Sequence, residues 1–145
     1  MVKRRELLSF GSVGAIAFVI DVGTFNFLVH GHLIGNAPLL ANNPVTGKII
    51  SSVLATLFAY FGNRNITWRG LSTHSIHHEI TLFFIFNGIA MGIAGLALAI
   101  SRYALGLDSL ISDNISANVI GVGLGTLFRF WSYRKWIFPN PNLDS

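Results

Sequence analysis

Cysteine is absent from the 145-residue sequence, and charged residues are scarce. The lack of cysteine excludes disulfides, thiolate nucleophiles and thiolate-ligated metal sites. Only 11% of the residues are charged, against about 25% in a typical soluble domain, so the chain has too few of them to cover a surface that faces water. Hydrophobic residues make up 52% of the sequence and the mean hydropathy is +0.59, which together predict a membrane protein.

The apolar runs predict an all-α membrane protein with four transmembrane helices. A spanning helix needs about 20 apolar residues, so four of them use most of the chain and leave no room for a soluble catalytic module. We expect the helices at about residues 7–30, 45–62, 79–101 and 114–133. Asn43, as a cap, and Pro44, in the first turn, are expected to begin the second helix.

The positions of the basic residues predict the orientation. Eight of them lie on or near one side: Lys3, Arg4, Arg5, Arg64, Arg69, Arg129, Arg134 and Lys135. Only Lys48 and Arg102 remain for the other side, so the positive-inside rule places both termini in the cytoplasm. The net charge of +4 does not indicate a nucleic-acid partner, because the basic residues lie at helix ends and form no stripe on a polar scaffold.

The N-terminal run also fits a cleaved signal peptide, with a basic head and the small triplet Ala15-Ile16-Ala17. Cleavage at that triplet would leave a short hydrophobic region, whereas hydrophobicity continues to Val29. We therefore favour a retained first span.

One sequence pattern occurs twice, at the ends of the second and fourth predicted helices. In each copy an apolar run ends in aromatic residues, an arginine follows (Arg64, Arg134), and a large aromatic comes four residues later (Trp68, Phe138). Aromatic rings favour the headgroup level of a bilayer, and an arginine beyond them can hold a phosphate while its stem stays in the apolar zone. The pattern predicts two helix ends delivered to one membrane face.

The repetition extends to the beginnings of the two halves. Glu6, where the first hairpin begins, has a counterpart in Glu79, where the second begins. We predict a single membrane domain, residues 1–145, made of two hairpins with the same orientation, at about 5–70 and 77–140. In transporters, such a parallel repeat places a site at the interface between the halves.

The short basic head, the four spans and the two helix ends together resemble the GtrA-like family of small membrane proteins. The residues that carry the resemblance are Asn63-Arg64 and Thr67-Trp68 after the second span, and the run from Tyr133 to Phe138 after the fourth. The resemblance covers about residues 6–138. Tyr133 stands where an asparagine like Asn63 is common, so the two ends need not be equivalent.

The resemblance implies a multi-pass protein of the plasma membrane, here the bacterial inner membrane, that takes part in cell-surface polysaccharide synthesis. It implies a flippase, moving a polyprenyl-phosphate-linked sugar from the cytoplasmic leaflet to the outer leaflet. A membrane glycosyltransferase is the implied protein partner, beside the surrounding membrane lipids. A homo-oligomer is open as well, because four short helices enclose little volume.

Asp21 and Lys48 are the ionisable residues predicted deepest in the outer half of the membrane. Asp21 lies about 20 Å from the cytoplasmic end of the first helix, at 1.5 Å per residue, and Lys48 is about one turn inside the second helix. A buried charge needs a partner, so an Asp21–Lys48 pair is the leading interpretation. In a second interpretation, Lys48 receives a lipid phosphate while Asp21 holds it ready or exchanges a proton. Simple exposure to a water-filled vestibule is the third.

Four basic residues form the predicted inner group. Arginine binds phosphate oxygens bidentately and lysine adds a point charge, so we expect a second substrate-binding station there. Its members are Arg64, Arg129, Arg134 and Lys135. Snorkelling into anionic headgroups explains them equally well.

The remaining polar and small residues inside the spans indicate helix packing. Asn26, Asn87 and Asn118 suit hydrogen bonds between helices better than contacts to sugar hydroxyls. Two small-residue motifs permit close helix approach: Gly88-x-x-x-Gly92 and Gly121-x-x-x-Gly125.

No cofactor, metal or catalytic residue is predicted, and we expect the protein not to be an enzyme. His74, His77 and His78 have helical metal-ligand spacing, but Glu79 is the only acidic group with them. Two other functions stay open beside the flippase. One is a non-transporting partner that anchors or organises a glycosyltransferase; the other, less favoured, is a small multidrug-type antiporter that uses Asp21.

Overall fold

The computed structural model describes residues 3–31, 37–107, 109, 111–112 and 115–140, and these contain helices and turns without strands. The chain divides into two compact units, Met1–Gly70 and Leu71–Ser145. Unit 1 contains α1 (Arg4–His30) and α2 (Pro44–Gly62); unit 2 contains α3 (Ile76–Ala99) and α4 (Val122–Ser132).

Short π-helical segments extend three of these helices. They are Asn63–Thr67 after α2, Ile100–Ala104 after α3, Ile115–Gly121 before α4 and Tyr133–Ile137 after α4. Within the described residues, three helical stretches are long and apolar enough to cross a membrane, namely Arg4–His30, Val45–Thr67 and Ile76–Ala104. The fourth predicted span coincides with α4 and its two flanking segments. The predicted all-α fold is thus confirmed for the described residues, and three of its helical stretches have the length and composition of a membrane span.

The helix ends follow local sequence. Gly31 ends α1 in the left-handed conformation with φ 66°, and its N–H donates to the Asn26 carbonyl oxygen at 3.1 Å. Glycine suits this position because it lacks the Cβ that a left-handed backbone disfavours. Asn43 takes the predicted cap position before Pro44, but its side chain makes no capping hydrogen bond. The Asn43 carbonyl oxygen instead accepts the Gly47 N–H at 3.1 Å.

The core of unit 1 lies between α1 and α2. Its buried apolar members are Phe10, Val13, Ala17, Val29, Ala55, Tyr60 and Trp68. Two glycines let the helices approach: a Cβ at Gly47 would lie 2.5 Å from Val29 Cγ2, and one at Gly62 would lie 2.7 Å from Val13 Cγ1. Close packing on β-branched side chains therefore joins the two helices near both ends.

The core of unit 2 has smaller side chains where α3 meets the last helix. A Cβ at Gly125 would lie 3.0 Å from the Ala90 carbonyl oxygen, and one at Gly121 would lie 2.8 Å from Ala94 Cα. The close approach predicted for the second glycine motif is confirmed. Gly88 and Gly92, in the first motif, have no described atom within 4 Å of the position that a Cβ would take, so that motif packs on nothing described inside its unit.

The same core positions are used in both units. Buried residues recur at one constant offset in the second helix of each unit, as Ala55 and Gly125, Tyr60 and Phe130, Asn63 and Tyr133, and Trp68 and Phe138. At a slightly larger offset they recur in the first helix, as Glu6 and Glu79, Phe10 and Phe83, and Ala17 and Ala90. The local packing of the two hairpins therefore matches; their shared orientation in a membrane stays a prediction.

Candidate functional site

A polar cluster joins α1 to α2 in unit 1. Lys48 Nζ donates to Asp21 Oδ2 at 2.6 Å, so the pair that the sequence suggested is present. By helix rise, Asp21 lies about 26 Å from the start of α1, and Lys48 lies about one turn from the start of α2. The antiparallel course of the hairpin brings these two positions to the same level.

Two serines complete the cluster, and sequence reasoning missed both. Ser51 Oγ donates to Asp21 Oδ1 at 2.6 Å, and Ser52 Oγ reaches the same oxygen at 3.3 Å. Ser51 is fully buried. The available signal was its spacing from Lys48, because residues three apart share a helix face. Both carboxylate oxygens of Asp21 therefore have donors, which offsets the cost of holding a charge away from water.

The two partners of the ion pair differ in access. The Lys48 side chain is 54% exposed, while that of Asp21 is 20% exposed. An ammonium has three donors, and one of those on Lys48 is committed to Asp21. The ring centroid of Phe25 lies 5.9 Å from Nζ, which adds a weak cation–π contact. Lys48 can thus bind an anion from outside the cluster while it stays paired with Asp21.

At the opposite end of α2, and again after α4, a π-helical turn holds the repeated arginine. Trp68 N–H donates to the Asn63 carbonyl oxygen at 2.8 Å, and Phe138 N–H donates to that of Tyr133 at the same distance. Both aromatics are buried, Trp68 against Phe10 with ring centroids 5.8 Å apart. In a π-helical turn the hydrogen bond spans five residues instead of four, and in this wider turn each aromatic side chain lies buried in its own unit.

Arg64 and Arg134 occupy the same place, second in the π-helical turn, and both are half-buried. Neither extends fully into solvent. The buried aromatic that follows each arginine fixes the backbone of this turn. A phosphate contact of Arg64 or Arg134 stays a prediction.

The first residue of each turn distinguishes the two ends. Asn63 is buried and its Oδ1 accepts the Thr67 hydroxyl at 2.9 Å, within its own turn. Tyr133 is equally buried, but its hydroxyl oxygen accepts Asn87 Nδ2 at 2.6 Å, and its ring stacks on Phe83 at 4.2 Å. The departure at Tyr133 thus replaces a local hydrogen bond with one between helices. That contact also confirms the interhelix hydrogen bond expected for Asn87.

Arg129 and Lys135 lie near the same end of α4. Arg129 is half-buried, and its Nε atom is buried without a hydrogen-bond partner among the residues that the structure describes. Lys135 Nζ lies 5.1 Å from the ring centroids of both Trp131 and Trp136. These exposed indoles hold the ammonium by cation–π attraction, which is worth about 0.5–1 kcal/mol at such a site. The convergence of this group with Arg64 stays a prediction.

Other predicted polar residues have structural roles or lie outside the described part. Asn26 Nδ2 donates to the Val22 carbonyl oxygen at 2.9 Å, so the interhelix bond expected for it is wrong; it bonds its own helix. The prediction for Asn118 concerns a side chain outside the part of the chain that the structure describes. His74 and His78 have ring centroids 5.0 Å apart, and the described residues contain no metal-binding group of three.

Unit 2 contains a cavity of about 450 Å³ where α3 runs into its π-helical segment. Ser101, only 4% exposed, lines it, and its hydroxyl has no hydrogen-bond partner in the described ranges. The described lining is otherwise apolar apart from Ser112 and Ser116, and it includes no charged residue. This cavity suits an apolar chain and not an anionic group.

The family model described as GtrA/DPMS, transmembrane domain, matches residues 9–138 of the chain. The protein belongs to this family. The match begins within the second turn of α1 and continues past the last π-helical turn, so it includes the polar cluster and both repeated helix ends. No curated protein and no solved structure matches the chain significantly. GtrA/DPMS membership and the apolar helices make this a multi-pass membrane protein whose function concerns polyprenyl-phosphate-linked sugars.

Proposed function

We propose that this GtrA/DPMS protein is a flippase for a polyprenyl-phosphate-linked sugar in the bacterial inner membrane, serving cell-envelope polysaccharide synthesis. In this proposal both termini are cytoplasmic and the two units are hairpins of the same orientation. The observation that carries it is the Asp21–Lys48–Ser51 cluster, a hydrogen-bonded ion pair inside a helical hairpin with its cation exposed.

The cluster supports transport because it lowers the cost of a phosphate inside the membrane. A charge at the bilayer centre costs at least about 2.5–3.5 kcal/mol, and a paired cation reduces that cost. Lys48 offers such a cation. While the lipid phosphate binds Lys48, the two serine hydroxyls continue to hold the Asp21 carboxylate, so neither charge is left alone.

The cytoplasmic ends of α2 and α4 provide the proposed inner station. Arg64 and Arg134 suit phosphate oxygens because a guanidinium binds them bidentately. Arg129 adds a buried Nε donor without a described hydrogen-bond partner, and a phosphate oxygen would satisfy it. Lys135, between its two indoles, adds a fixed point charge at the interface.

Translocation of this kind breaks no covalent bond, so we propose that the chain is not an enzyme. The prenyl tail stays in lipid throughout, and only the phosphorylated sugar crosses the apolar zone. The protein then needs successive polar contacts and no catalytic group.

A second candidate is a non-transporting partner that anchors or organises a membrane glycosyltransferase. Gly88 and Gly92 favour it, because these small residues on one side of α3 contact nothing described in their own unit. Small-residue faces allow close approach of another membrane helix, from a transferase or a second copy of this chain. A cation antiporter is less favoured, because Lys48 already neutralises Asp21.

Exchange of a labelled polyprenyl-phosphate sugar between leaflets of proteoliposomes tests the proposal. We expect Lys48→Met to slow exchange at least tenfold and Lys48→Arg to retain much of it, since arginine keeps the cation. Ile49→Met is the matched control, because it places a methionine in the same helix at an exposed residue outside the cluster, and it should leave the rate of exchange unchanged. Unchanged exchange in Lys48→Met would refute the proposed role of the cluster.

The same variants separate the two candidates in cells. If Asp21→Asn and Lys48→Met both complement a deletion normally while the chain co-purifies with a glycosyltransferase, the anchoring role is correct. Loss of complementation with an intact complex supports transport.

A further inference from the structure

The contact between α1 and α2 differs from the contact between α3 and the last helix at one position along the helix axes. Ala17 and Ala90, and likewise Ala55 and Gly125, take corresponding buried places in the two units. One turn further along, Asp21 in α1 meets Ser51 of α2. The corresponding residues of unit 2 are Ala94 and Gly121, and these also contact each other. The polar cluster therefore occurs in one unit, with a small-residue contact in the other.

The small-residue contact joins two backbones. A Cβ at Gly121 would lie 2.8 Å from Ala94 Cα and 3.0 Å from the Ala94 carbonyl oxygen. Separating the helices there loses dispersion contacts along both, and nothing polar is exposed that a charged ligand could bind instead. The nearby cavity does not provide a phosphate site either, because its described lining contains no charged residue.

The polar contact of unit 1 behaves differently on opening. It consists of an ammonium and two hydroxyls that donate to a carboxylate. On opening, the ammonium and the hydroxyls can donate to phosphate oxygens, and the carboxylate can accept from sugar hydroxyls. A ligand that replaces the lost bonds offsets most of the cost of separation. At this level, therefore, the α1–α2 contact is suited to open around a polar head and the Ala94–Gly121 contact is not. The polar contact of unit 2, between Asn87 and Tyr133, lies near the other end of its hairpin.

We infer that the phosphorylated head of the lipid passes along the line of contact between α1 and α2, and that the α3–α4 contact stays closed throughout. This rests on the proposed function. Asp21 and Ser51 are then positioning residues that hold Lys48 and keep the two helices together between substrates. The route runs from the end of α2 that carries Arg64 to the end that carries Lys48, past the layer where Val13 meets Gly62.

Paired cysteines test this route, and the cysteine-free chain needs no prior substitutions. In unit 1, a Cβ at Gly62 lies 3.6 Å from Val13 Cβ. In unit 2, a Cβ at Gly125 lies 3.6 Å from Ala90 Cβ. Both distances suit a disulfide, whose Cβ atoms are about 3.5–4.5 Å apart. A Cβ at Gly125 also lies 3.0 Å from the Ala90 carbonyl oxygen, and that strain is present in the reduced and the oxidised pair alike. The shortest contacts of a Gly62 Cβ are to the Val13 γ-carbons, which Val13→Cys removes.

Each pair is compared with itself, oxidised and reduced, in the sugar-lipid exchange assay. Oxidation of Val13→Cys/Gly62→Cys should slow exchange at least tenfold, and oxidation of Ala90→Cys/Gly125→Cys should change it less than twofold. Full exchange through the oxidised unit 1 pair, or arrest by the unit 2 pair, would overturn the route. Absence of exchange in the cysteine-free parent would instead refute the proposed function.

A second measurement does not require the variants to transport. The rate of disulfide formation is followed in detergent with and without added polyprenyl phosphate. Polyprenyl phosphate should slow disulfide formation at least threefold in the unit 1 pair, because the bound lipid separates α1 from α2. It should leave the rate of disulfide formation in the unit 2 pair unchanged. Equal rates with and without lipid in the unit 1 pair, or slowing in the unit 2 pair alone, would contradict the inference.

Discussion

Alanine at Gly121 should destabilise unit 2, and the size of the effect follows from the contact geometry. The new methyl carbon would lie 2.8 Å from Ala94 Cα and 3.0 Å from the Ala94 carbonyl oxygen. Both are backbone atoms, so relief requires the two helices to move apart. Overpacking of this kind typically costs about 1–3 kcal/mol.

Gly123→Ala is the matched control, because it makes the same chemical change two residues further along, in the first turn of α4, which directly continues the π-helical segment that ends at Gly121. Gly123 has no described atom within 4 Å of its Cβ position, so alanine there meets open space. Glycine in a helix is about 0.5–1 kcal/mol less favourable than alanine, and that gain applies to both variants. The difference between the two therefore isolates the contact with Ala94.

Equilibrium unfolding in mixed micelles with increasing SDS provides the assay. We expect Gly123→Ala to be as stable as the parent or slightly more stable, and Gly121→Ala to be about 1–3 kcal/mol less stable than Gly123→Ala. Equal free energies of unfolding for the two variants would show that α3 and the last helix are not in backbone contact. The premise that the α3–α4 contact is closed would then be lost.

Further predictions concern the repeated helix ends and use the same unfolding assay. Trp68→Ala should cost about 3–5 kcal/mol because a buried indole is removed, whereas Trp131→Ala, at a half-exposed site, should cost clearly less; equal costs would contradict the buried anchor. Tyr133→Phe should cost about 1 kcal/mol through loss of the acceptor for Asn87. Since Asn87 also donates to the Phe83 carbonyl oxygen at 2.8 Å, Asn87→Leu should cost no less than Tyr133→Phe, and a smaller effect would argue against the hydrogen bond.

Several features were predictable because they depend on local chemistry. The end of α1 at Gly31 follows from a glycine after a long apolar run. The Asp21–Lys48 pair was predictable because two opposite charges at similar depth in adjacent apolar helices need each other. The repeated arginine and aromatic were visible as a pattern, although the π-helical turn that joins them was not.

Other features required knowledge of which residues face each other. Ser51 lies three residues after Lys48, but that spacing alone does not show that its hydroxyl meets Asp21; the contact between the helices does. Gly88 and Gly92 form as good a motif as Gly121 and Gly125, yet only the second pair packs on a described neighbour within its unit.

Composition and short patterns along the chain are enough to recognise the apolar helices, the family and the positions of the charges. Which charges are paired, which glycines carry a contact and which of two similar hairpins contains a polar cluster depend on the packing of the helices. Hydrogen bonds and close packing act over a few ångströms between residues that are far apart in the chain. If a helix is turned about its axis by the angle between two successive residues, each of its side chains faces a different neighbour.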